Sequence, residues 1–143
     1  NAIRITFLDV RLGALGYPHS VIVTGVKSTN GAQINDHEGN VATFTSSAED
    51  VSGIYVYPNP VSPNEIFDGM RFANLPKEAD IRIISVSGMF VNDLQERDGD
   101  GGFTWDLRDS GGNLIKPGKY IYTVNTPDGK EFTGKFVLLD QSK

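Results

Sequence analysis

Lys119-Tyr120-Ile121-Tyr122-Thr123-Val124-Asn125-Thr126-Pro127-Asp128-Gly129-Lys130-Glu131-Phe132-Thr133-Gly134-Lys135-Phe136-Val137-Leu138-Leu139 decides the fold. Tyr120, Tyr122 and Val124 alternate with Ile121 and Thr123, so the first run has the two-residue period of a strand with one apolar face. In the second run Phe132, Phe136 and Leu138 share a face, with Lys135 opposite. Asp128-Gly129 lies between the runs and supplies the positive-φ residue that a tight hairpin demands. Two apolar strands joined this way tie the end of the chain into the fold.

Working outward, strands are predicted over Ile54–Tyr57, Gly69–Ala73, Asp80–Val86, Met89–Leu94, Phe103–Leu107, Lys119–Asn125 and Glu131–Leu139. Turn residues separate them at Pro76, Ser87-Gly88, Asp98–Gly102, Ser110-Gly111-Gly112-Asn113, Pro117-Gly118 and Asp128-Gly129. One turn every 8–12 residues or so is the rhythm of an antiparallel sandwich or barrel. The alternation slips after Ile83-Ile84, which predicts a bulge. Within Met89–Arg97 the Phe90, Leu94 spacing also suits a helical turn. The expected architecture is all-β: an immunoglobulin-like antiparallel β-sandwich of about seven strands over residues 54–143.

The polar stretch Ser46–Gly53 reads as a linker, and residues 1–45 as a separate partial sandwich. That first segment offers three strand candidates, around Ile3-Ile5-Phe7, Val21-Val23 and Val41-Thr43. Three strands leave an apolar face and edges uncovered. Its remaining strands are therefore expected upstream of Asn1 or from another chain. The chain opens at Asn1 without a Met or a signal peptide, which reads as a cut.

Composition narrows the function. The 143 residues carry 13 basic and 18 acidic side chains, a net charge of −5. No Lys/Arg block occurs, so neither the footprint of a nucleic-acid binder nor that of an anionic-lipid binder is present. No apolar run approaches the roughly 18 residues needed to span a bilayer, and no membrane insertion is expected. Zero cysteines exclude disulfides, iron–sulfur ligation and thiol chemistry.

The second segment also carries an ordered series of short motifs. They are Val56-Tyr57-Pro58-Asn59-Pro60-Val61, Met70-Arg71-Phe72-Ala73-Asn74-Leu75-Pro76, Ile81–Gly88, Phe103-Thr104-Trp105-Asp106, Gly112–Tyr122 and Gly134-Lys135-Phe136-Val137. In this order they resemble the C-terminal sorting domain of type IX secretion, which is similar to the immunoglobulin-like domain of the flagellar hook-capping protein. The first segment loosely resembles the end of a bacterial immunoglobulin-like domain, through Val23-Thr24-Gly25-Val26, Asn30-Gly31 and Phe44. The resemblance implies recognition by the outer-membrane secretion machinery and attachment to the cell surface. It places the protein outside a Gram-negative-type bacterium, reached through the periplasm. By motif match the sorting positions are Pro58, Asn59, Pro60, Gly118, Tyr120, Gly134 and Lys135. Two departures stand out: Leu107 occupies a place where Gly often follows Trp-Asp, and Asp140-Gln141-Ser142-Lys143 runs past the usual short basic terminus.

Several of these residues have a physical reading of their own. Pro58 and Pro60 fix φ and remove N–H donors, so the chain is expected to run extended and unpaired there. Trp105, the sole tryptophan, is the expected core anchor, with burial worth of order 3–5 kcal/mol by truncation costs. Asp98-Gly99-Asp100-Gly101-Gly102 lacks the distal Glu of a calcium loop and reads as a solvated hairpin turn. Asn35-Asp36-His37-Glu38 has only His19 as a second imidazole source, too little for a metal site. No Gly-x-Ser-x-Gly elbow or phosphate-cradling glycine loop occurs. Tyr55 and Tyr57 could stack on sugars if exposed, but at strand positions they read as core. No catalytic residue, cofactor or metal is expected. The leading expectation is a non-catalytic export and attachment module of a larger secreted protein. The alternatives are a structural subunit or stalk completed by strand addition from a neighbour, and the accessory end of a secreted hydrolase.

Overall fold

The computed structural model describes residues 16–33, 39–62 and 69–140. Every regular element among them is a strand: β1 (His19–Ile22), β2 (Val41–Phe44), β3 (Tyr55–Tyr57), β4 (Met70–Ala73), β5 (Ala79–Ser85), β6 (Phe90–Glu96), β7 (Gly102–Trp105), β8 (Gly118–Asn125) and β9 (Glu131–Leu138). The all-β expectation therefore holds. No helix among these residues is long and apolar enough to cross a membrane.

A three-stranded sheet, β3-β4-β7, faces a four-stranded sheet, β6-β5-β8-β9, and β1 pairs with β2 in a separate ribbon. All strand pairs are antiparallel. The inward residues of the two larger sheets make one core. Val56, Met70, Phe72 and Trp105 come from one side, and Ile81, Ile83, Leu94, Tyr120, Tyr122, Val124, Phe136 and Leu138 from the other. Aromatic rings interlock across it. Phe72 meets Tyr122 edge-on at 5.2 Å, Trp105 meets Phe136 edge-on at 6.0 Å, and Tyr120 stacks on Phe136 at 5.1 Å. Such geometries add to area burial because ring edges and faces carry opposite partial charge. Trp105 is 2% exposed, and its indole N–H donates to the Arg108 carbonyl at 2.9 Å, so burial leaves no orphan donor.

The β8–β9 hairpin forms as expected. Gly129, at φ 83°, closes a turn in which its N–H donates to the Thr126 carbonyl. The bulge is also present: Ile83 pairs with Asn92 but Ile84 pairs with Phe90, so Val91 has no opposite number and turns into the core. Within Met89–Arg97 the residues Phe90–Glu96 are strand rather than helical turn, because β5 supplies a ladder from Ala79 to Ile84.

Three expectations need correction. Asp98–Gly102 is a turn but does not close a hairpin: β6 belongs to the four-stranded sheet and β7 to the three-stranded one, so the loop crosses between layers. Tyr55 and Tyr57 are not core, being 45% and 36% exposed. Their neighbours Ile54 and Val56 take the inward positions, and Tyr57 pairs with Arg71, whose charge cannot enter the core. The chain around Pro58-Asn59-Pro60 is not unpaired, as described below. Leu107 adopts φ 61° while 5% exposed, a left-handed backbone bearing a buried leucine.

In the first segment, β1 and β2 pair from His19–Phe44 to Ile22–Val41. The predicted strand at Ile3-Ile5-Phe7, the Asn35–Glu38 group and the end beyond Asp140 lie outside the described residues. The stretch read as a linker is bonded to the second segment. The Ala48 N–H donates to the Leu75 carbonyl at 2.8 Å, and Asn74 Nδ2 donates to the Gly53 carbonyl at 3.1 Å.

Candidate functional site

The residues singled out by motif match lie far apart in sequence, yet the sheet gathers them around β9. Gly118 pairs with Leu138, Tyr120 with Phe136, Tyr122 with Gly134 and Ile121 with Lys135. Tyr120 is buried, and its hydroxyl donates to the Lys116 carbonyl at 2.5 Å, bracing the chain as it enters β8. Gly134 lies beneath the Tyr122 ring, where a Cβ would run into the ring carbons and hydroxyl. A glycine here lets an aromatic from the adjacent strand cover the backbone. Burial pushes the Tyr120 and Tyr122 hydroxyls above their ordinary titration range.

Pro58-Asn59-Pro60 reaches the same strand from the other sheet. The peptide bonds preceding both prolines are cis. Asn59 Nδ2 donates to the Lys135 carbonyl at 3.1 Å, and the Val137 N–H donates to Asn59 Oδ1 at 3.2 Å. Two residues on, the Val61 N–H donates to the Val137 carbonyl at 2.8 Å and the Leu139 N–H to the Val61 carbonyl at 2.9 Å. Val61 is fully buried and pins the segment in place. Pro58, Asn59, Pro60 and Lys135 thus meet in one strip, with Gly118, Tyr120 and Gly134 on the strands beside it. Trp105 stays in the core beneath, against Phe136.

Two further groupings were not assembled by sequence reading, the second of which adds Glu96 to the Asp98–Gly102 turn considered above as a calcium loop and set aside. On the outward side of β4, the Arg71 guanidinium sits 3.8 Å from the Tyr17 ring centroid. Its Nη2 donates to the Gly16 carbonyl and its Nη1 to Thr104 Oγ1, both at 2.6 Å. The Gly16 N–H donates to the Asp100 carbonyl at 3.1 Å, so this seam joins the first segment to the second. The outward Arg in Met70-Arg71-Phe72 was a visible signal, but its partner 55 residues away was not.

The second grouping is Glu96, Asp98 and Asp100, whose carboxylate oxygens lie within 4.8 Å of one another and could ligate a cation. Glu96 is 1% exposed and accepts from the Gly99 N–H at 2.8 Å. Burial first, then a hydrogen bond to Asp98, raises its pKa to about 7, with the charges of Asp98 and Asp100 adding to the effect. The Gly99 N–H works the other way, favouring the ionised carboxylate, and is outweighed by burial and by the bond to Asp98. Its signal was parity: Glu96 stands two residues after the buried Leu94 on the same strand face.

No protein-family model and no curated protein matches the chain. Among solved structures it is similar to PorZ of Porphyromonas gingivalis, described as an essential bacterial surface component of the type IX secretion system. The match has 26% identity and a TM-score of 0.59, and covers 71% of this chain but 14% of PorZ. PorU of Porphyromonas gingivalis, solved as a latent dimer, also matches, at 24% identity and a TM-score of 0.45 over 71% of this chain and 11% of PorU. The chain is thus an all-β unit similar to a small part of a type IX secretion component.

Proposed function

We propose that this chain is a non-catalytic module of a larger secreted bacterial protein, serving export by type IX secretion and attachment at the cell surface. The observation that carries the reading is the PorZ match, which combines sequence identity with the sandwich fold over most of this chain. The convergence of the motif residues on β9 supports it, because positions far apart in the sequence meet on one strip of this strand and its neighbours. The partners under this reading are the outer-membrane secretion machinery and the rest of the parent protein. The test is deletion of residues 54–143 from the full-length parent, followed by fractionation and surface labelling. The truncated parent is expected to accumulate within the cell envelope. Normal delivery of the truncated parent to the surface would sink the proposal.

A second reading, a structural subunit completed by strands from a neighbour, is favoured by the β1–β2 ribbon. Ile22, Val41 and Phe44 stand 63%, 45% and 38% exposed on it among the described residues. Photocrosslinking from position 44 in the assembled parent separates the two readings. Crosslinks to a different polypeptide support the subunit, and crosslinks confined to the parent support the module.

A further inference from the structure

β9 is an outermost strand of its sheet, and an exposed strand edge is a template for adding another chain. Over Lys135–Leu139 that edge is filled from within. Asn59 offers a carboxamide, the same donor and acceptor pair that a peptide unit presents, and both halves are used: Nδ2 on the Lys135 carbonyl and Oδ1 on the Val137 N–H. Among short side chains only an amide supplies both, since Asp lacks the donor and Ser cannot span the two sites at once. Val61 then continues the pairing with two backbone hydrogen bonds to Val137 and Leu139.

The flanking prolines complete the device. A backbone strap laid on an edge would normally present a new edge of its own. Pro58 and Pro60 have no N–H, so the strap offers almost no donors for a further strand. We propose that Pro58-Asn59-Pro60 is an edge cap that terminates the sheet at β9, and that the edge it covers pairs with β9 of a second copy of this chain when the cap is removed. Identical edges related by a two-fold axis are self-complementary, and β9 against β9 would run antiparallel and join two four-stranded sheets. This inference does not depend on export.

The test uses the chain of 143 residues carrying Asn59→Ala, with Asn59→Asp as a second variant that keeps the acceptor for Val137 and loses the donor for Lys135. Amide exchange followed by NMR reads the cap directly. In Asn59→Ala the Val137 N–H is expected to exchange roughly tenfold faster, the scale of one lost hydrogen bond, while Leu139, held by Val61, changes less. Sedimentation equilibrium is expected to show a monomer for the parent chain and a monomer–dimer mixture for Asn59→Ala, with Asn59→Asp between them. Unchanged exchange at Val137, or a variant that stays monomeric despite faster exchange, overturns the proposal. If both variants lose cooperative folding, Asn59 is a determinant of the fold rather than a cap, which overturns it equally.

Discussion

Replacing Glu96 with glutamine isolates the energetic cost of a buried carboxyl in the loop that crosses between the two sheets. The carboxyl titrates at about 7 in the fold against 4.5 ordinarily, chiefly through burial and secondly through its hydrogen bond to Asp98. A raised folded pKa means that the folded protein holds this proton more tightly than the unfolded chain does. Below about pH 4.5 both states are protonated and the group costs nothing. Between 4.5 and 7 the unfolded chain releases the proton first, so stability falls as pH rises, and above about 7 the full cost is present. Moving the carboxyl from 4.5 to about 7 corresponds to about 3 kcal/mol, at about 1.4 kcal/mol per pH unit. Glutamine keeps an acceptor for the Gly99 N–H and gains a donor for Asp98, so it mimics the neutral acid at every pH. The variant is expected to match the parent at pH 4 and to exceed it by up to about 3 kcal/mol at pH 8. At roughly 3 °C per kcal/mol for a chain of this size, that is a Tm gain approaching 10 °C. Thermal unfolding of both proteins from pH 4 to 8 gives a difference curve in which depressed carboxylates away from the site, such as Asp93 beside Arg82, cancel. A difference independent of pH would refute the assignment.

Leu107 holds a left-handed backbone at φ 61° while its side chain is buried. Glycine relieves roughly 1–2 kcal/mol of that strain but gives up burial worth about 2–5 kcal/mol. The expected order of stability in urea is therefore Leu, then Gly, then Ala, which inverts the usual ranking of Gly and Ala; an Ala variant more stable than the Gly variant would count against the strain. Gly134→Ala drives a methyl into the Tyr122 ring and should cost about 1–3 kcal/mol as overpacking. A double-mutant cycle with Tyr122→Val should recover most of that cost, and an additive result would show that the ring is not the obstacle.

What was legible in the sequence was local. The β8–β9 hairpin rests on a two-residue period and an Asp-Gly turn, both contained in consecutive residues. The slip at Ile83-Ile84 announced the bulge because a broken alternation is itself the signal. Tyr55 and Tyr57 misled because Ile54-Tyr55-Val56-Tyr57 is apolar in both registers. The choice is made by β4, where Arg71 opposite Tyr57 can only face outward. Asp98–Gly102 declared a turn but not its destination, which depends on β7 pairing with β4 rather than β6. Asn59 was read through its prolines, as backbone that cannot pair. Its side chain does the pairing, with a carbonyl 76 residues away, and no local rule reaches that far.

The same contrast bears on what the motif match means. Gly134 is glycine because Tyr122 lies over it, Tyr120 is aromatic because Phe136 stacks on it, and Asn59 is an amide because β9 needs both a donor and an acceptor. Each of these residues is accounted for by assembly of the sheet, so their order and spacing report a packing requirement before they report an export signal. Any recognition by secretion machinery must then read what the sheet leaves exposed, including the outward side chains of β9 such as Glu131, Thr133 and Lys135. Substitutions at the buried motif residues confound export with folding, whereas substitutions on that outward face leave the core contacts intact.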